Sequence, residues 1–143
     1  MYNDDFYEKY YKKIFFNKFI CGFLPKIIDF YSENDCNNNF IDNFAFVKDN
    51  NSFSFCLNNI RIDIGEKLSY FYFRKFFIEI MQNYGMNIIV NNDVFEKYDS
   101  NLINSGKNNE IITISGKISQ YLFMYELELK KYQEIGVCKK LKK

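Results

Sequence analysis

The spacing of apolar and polar residues changes period three times along the chain. Over residues 4–21, Phe6, Tyr10, Ile14, Phe15 and Phe19 recur at helical spacing, with Lys9, Lys12, Lys13 and Asn17 between them. Asp4 and Asp5 suit the positive end of such a helix. Gly22 marks a stop, and Pro25 opens a second short helix carrying Ile27, Ile28, Phe30 and Tyr31. We read these two segments as an N-terminal helical hairpin.

From about residue 40 the period becomes two. Phe44 and Phe46 alternate, and Asp49-Asn50-Asn51 turns the chain. Phe53, Phe55 and Leu57 share a face, and Ile60, Ile62 and Ile64 alternate with Arg61 and Asp63. The apolar parity slips by one across Asn58-Asn59, which predicts a tight turn there. The result is a three-stranded antiparallel meander.

The period lengthens again over 66–84. Leu68, Tyr72, Phe76, Ile80 and Tyr84 fall at i+4 steps beside Phe73, Phe77 and Met81, and Gly85 ends this central helix. Met86 to Val90 is a short strand. Residues 91–110 read as a long polar loop, with a turn of helix at Val94 to Tyr98.

The last segment fits two periods. Ile112 and Ile114 lead into a turn at Ser115-Gly116-Lys117. Tyr121, Phe123, Tyr125, Leu127 and Leu129 then alternate with Glu126, Glu128 and Lys130, as the second strand of a C-terminal hairpin would. Ile118, Leu122, Tyr125, Leu129 and Tyr132 fit a helix instead. Alternation and aromatic content favour the strand. The expected fold class is α+β: an N-terminal helical hairpin, and an antiparallel sheet (three-stranded meander plus C-terminal hairpin) packed on one central helix. No linker or repeat divides residues 1–143, so one domain is expected, with 136–143 a frayed basic tail.

Composition narrows the function classes. Nineteen Asn, 18 Ile and 17 Phe suggest an AT-rich gene of viral, mobile-element or low-GC origin, with the Asn runs as loop fillers. Residues 130–143 hold six lysines against one glutamate, +5 of a formal total of +1, so the preceding residues carry −4. An acidic body with only two arginines, Arg61 and Arg74, argues against specific nucleic-acid readout. Asp4, Asp5 and Glu8 stand where a secretory leader would be basic, and no run is long enough to span a membrane. The four cysteines lack paired CxxC spacing, so no metal site is expected, and we read the thiols as reduced in a cytoplasmic protein. Cys21 and Cys56 are read as small core residues.

No histidine occurs, which removes Ser-His and Cys-His catalysis, and no glycine-rich phosphate loop occurs. We expect no enzyme activity and no cofactor. Glu128-Leu129-Lys130 on a strand would place an acid and a lysine on one face. That arrangement resembles the E-x-K half of the PD-(D/E)xK nuclease signature. The resemblance implies Mg²⁺-dependent cleavage and requires an upstream Asp, for which Asp99 and Asp63 are the candidates. The Leu24-Pro25 opening resembles the start of SUKH-type immunity domains, and the likeness ends there. The expected function is a protein-binding module, an immunity protein or inhibitor facing a basic toxin or nuclease. Its candidate contact residues are Asp93, Glu96, Asp99, Glu126 and Glu128. The alternatives are an oligomerising viral accessory protein and the nuclease.

Overall fold

A computed structural model describes residues 4–31, 35–49, 52–65, 67–90 and 109–134. They form an α+β fold with a five-stranded antiparallel sheet. The chain groups into two compact units, Met1–Asn39 with Lys117–Lys143, and Phe40–Gly116.

The second unit begins with the predicted meander. Strands β1 (Asn39–Asp49), β2 (Ser52–Leu57) and β3 (Ile60–Gly65) pair antiparallel. Asn50 and Asn51 lie outside the described residues. Asn58 adopts φ +56°, the left-handed conformation that a two-residue hairpin turn requires and that asparagine tolerates. Near its end β3 carries a bulge. Ser54 faces Asp63 but Phe53 faces Gly65, so Ile64 is the extra residue.

Helix α1, the central helix, spans Lys67–Asn83 and packs on β2, β3 and the strand Asn87–Val90 that follows it. Its sheet-facing row is Tyr70, Phe73 and Phe77, buried against Phe44, Phe46, Phe53 and Phe55 with ring centroids 4.9–6.3 Å apart. The row predicted through Tyr72 flanks this contact, and Tyr72 is half-exposed. Fully burying each ring contributes roughly 1.5–3 kcal/mol. The helix ends as predicted: Gly85 at φ +79° donates to Gln82 O, and Met86 N–H donates to Met81 O. Strand β4 (Asn87–Val90) follows. It pairs antiparallel with β5 (Asn109–Lys117), and the strand order is β3-β2-β1-β5-β4. Asn109 and Glu110 therefore belong to a strand rather than to the expected loop, and 91–108, with the predicted turn of helix, lies outside the described residues.

In the first unit the expected N-terminal hairpin is replaced by one unbroken helical run. Helix α2 (Asp4–Phe15) passes into a π-helical stretch, Phe16–Phe23, and then into α3 (Leu24–Phe30). Gly22 does not take a positive φ, so nothing halts the chain there. The wider turns carry it on to Pro25 in the first turn of α3, Leu24 N–H donating five residues back to Phe19 O. Phe16, Phe19, Ile20, Phe23, Leu24 and Ile27 are buried.

The C-terminal segment departs from the expected strand. Ile118–Glu134 is a helix, α4, and the hairpin partner of β5 is β4. Lys117 N–H donates to Gln120 Oε1, half of a capping box. Ile118 and Ser119 N–H donate to Asn38 and Cys36 O, each at 2.9 Å, so two first-turn donors that have no acceptor within the helix are satisfied. The buried positions are Ile118, Tyr121, Met124, Glu128 and Tyr132. That stripe is helical, and it leaves Leu122 and Leu129 half-buried beside it. Tyr132 stacks on Phe16 with centroids 3.6 Å apart, and Tyr31 stacks on Tyr121 at 6.2 Å.

Candidate functional site

The register of the sheet sorts its residues into two faces. One carries Phe44, Phe46, Phe53 and Phe55 toward α1. The other can be followed from edge to edge. Ile89 pairs with Thr113, Thr113 donates through Oγ1 to Asn43 Oδ1 at 2.7 Å, and Ala45 and Val47 alternate with Phe44 and Phe46. Val47 pairs with Ser54, Ala45 with Cys56, and these with Asp63 and Arg61. Ile41 and Ile111 fall on this outward face by the same alternation.

The outward face is apolar in part and open. Ile41 is 71% exposed, Ile89 67% and Ile111 36%. Its polar groups are joined to each other. Ser54 Oγ accepts from Arg61 Nη2 at 2.7 Å and donates to Asp63 Oδ1 at 3.0 Å, and Arg61 Nε stands 4.0 Å from the same oxygen. Cys56 is a half-buried free thiol, its pKa pushed up by burial and by Asp63 against the opposing pull of Arg61. A thiol held protonated is a poor nucleophile.

The opposite face holds a buried ion pair. Glu110, fully buried at the start of β5, accepts from Arg74 Nε at 2.8 Å and Nη2 at 2.9 Å, and from Tyr70 Oη at 2.7 Å. Three donors thus converge on one buried carboxylate, which is the arrangement of a structural clamp. In the sequence Arg74 stands out only as one of two arginines, and Glu110 falls in the segment expected to be a loop. A carboxylate with no local signal cannot be matched to an arginine 36 residues away.

Of the five candidate contact residues, Asp93, Glu96 and Asp99 lie outside the described residues. Glu126 is exposed on α4. Glu128 is buried and pairs with Lys131 at 3.5 Å, not with Lys130, because on a helix i and i+2 point about 200° apart. The E-x-K face of the nuclease signature does not form. Among the described residues no three Cys, Asp or Glu side chains gather as metal ligands, and no helix is long and apolar enough to cross a membrane. Reading all four thiols as reduced does not hold for Cys21, which is disulfide-bonded, while Cys36 and Cys56 are free. Cys138 lies outside the described residues. No family model matches the chain, and no curated protein or solved structure matches it either.

Proposed function

We propose that the chain is a non-enzymatic protein-binding module of the immunity-protein or inhibitor type, docking through the outward face of its sheet. The observation that carries this reading is the exposure of Ile41, Ile89 and Ile111 on that face. Apolar side chains surrounded by polar groups already hydrogen-bonded to each other suit a protein interface, since docking leaves few polar groups stranded. The net charge of −4 over the residues before Lys130 favours a basic partner such as a toxin or nuclease.

Affinity capture from host lysate, comparing wild type with an Ile41→Lys/Ile111→Lys double variant, tests the reading. One stoichiometric basic partner, held by wild type and lost by a variant with an unchanged circular dichroism spectrum, is expected. Equal capture by both proteins would sink the assignment of this face.

A further inference from the structure

We propose that β4 pairs with the β4 of a second copy of this chain, about a two-fold axis normal to the sheet. This inference concerns a sheet edge and does not depend on the partner proposed above.

Among the described strands, β3 and β4 are the two edges of the sheet, and they are built differently. Edge strands present main-chain N–H and C=O groups that template another strand unless something blocks them. β3 is blocked. Arg61 and Asp63 line it, and the bulge at Ile64 breaks its ladder. β4 reads Asn-Ile-Ile-Val, with four consecutive regular pairs to β5 and no charge, proline or bulge.

The β4 edge is also complementary to itself. Directly opposed residues of an antiparallel pair share a face. A two-fold axis at Ile89 therefore sets Ile89 against Ile89 of the second copy on the outward face. On the α1 side it sets Ile88 against Val90 of the second copy, twice. Ile89 is exposed, and Ile88 and Val90 are half-buried, so each has apolar surface left to cover. Two-fold pairing of like surfaces is the commonest route to a homodimer. Four residues of strand cover far less than the roughly 800 Å² per partner of a stable interface. The dimer is accordingly weak and concentration-dependent.

Sedimentation of the full chain from about 1 μM to about 1 mM, the range that brackets such a dissociation constant, tests this. The wild type is expected to move from monomer toward dimer across the series. Ile89→Lys, at an exposed position, is expected to remain monomeric with an unchanged circular dichroism spectrum. Ile89→Glu replaces it if that variant fails to fold. Ile41→Lys, on the outward face but off β4, is expected to associate as wild type does. A wild type monomeric at every concentration, or an Ile89→Lys variant that dimerises equally, would overturn the proposal. Loss of association in Ile41→Lys would also overturn it, by pointing to face-to-face packing.

Discussion

Arg74 grips Glu110 through two nearly equal contacts, Nε to Oε1 at 2.8 Å and Nη2 to Oε2 at 2.9 Å, with Glu110 fully buried. This fork ties the middle of α1 to the first residues of β5. Removing the carboxylate takes both of these bonds from a guanidinium that stays largely buried. Glu110→Gln is expected to lower unfolding stability by about 3–5 kcal/mol, read by urea denaturation. Tyr70→Phe deletes one hydrogen bond and should cost about 1 kcal/mol, up to about 3 for a charged acceptor. An Arg74→Leu/Glu110→Leu double variant should be more stable than Glu110→Gln, because no charge is stranded. A double variant less stable than Glu110→Gln would show that the pair does more than neutralise itself.

Tyr132 gives the first unit an alkaline limit. Burial, and then the charge of Glu128, push its pKa up to about 12 from the ordinary tyrosine value of 10.0. Burial and then Asp29 raise Tyr125 on the same helix. A raised folded pKa means that the stabilisation is complete below pH 10. It falls as the unfolded phenol ionises and is lost as pH passes 12. The two-unit difference corresponds to at most about 2–3 kcal/mol. Tyr132→Phe should be less sensitive to pH between 10 and 12 than wild type, in denaturation series run at fixed pH. Parallel pH profiles for the two proteins would refute the assignment.

Gly85 closes α1 at φ +79°, where a side chain is strained. Gly85→Ala keeps the hydrogen bonds to Gln82 and Met81 only by holding alanine in that conformation. It is expected to destabilise by about 1–2 kcal/mol, measured by thermal or urea unfolding. A neutral effect would mean that the helix end relaxes into a different cap.

The cysteines should separate by reactivity. Cys36 is an exposed free thiol, and Cys56 is a half-buried one with a raised pKa. Under non-reducing conditions at pH 8, a thiol reagent followed by mass spectrometry of peptides should label Cys36 first and Cys56 more slowly. Cys21 should react only after reduction, because it is disulfide-bonded. Rapid labelling of Cys21 without reductant would contradict that bond.

Most elements could be read where their signals are local. The parity slip at Asn58-Asn59 became a turn with Asn58 at φ +56°, and Gly85 became a helix end. The central helix and the meander appeared because each exposes one apolar face at a single clear period. Residues 118–134 were misread because Tyr121, Phe123, Tyr125, Leu127 and Leu129 satisfy alternation while Ile118, Leu122 and Tyr125 satisfy helical spacing. Hydrogen bonds from Ile118 and Ser119 to Asn38 and Cys36, some 80 residues upstream, accompany the helical outcome. Gly22 misled in the same way, since a glycine permits a stop without requiring one.

The candidate surface was hidden for a further reason. Ile41, Ile89 and Ile111 come from three strands, and only the register through Asn43 and Thr113 puts them on one face. By itself the sequence determined the α+β class, the meander, the central helix and the absence of histidine chemistry, because composition, period and turn residues act within a few positions. Tertiary structure decided the helical fate of 118–134, the Arg74–Glu110 clamp and which isoleucines face outward. Those depend on pairings between residues 24 or more positions apart, which no local pattern encodes.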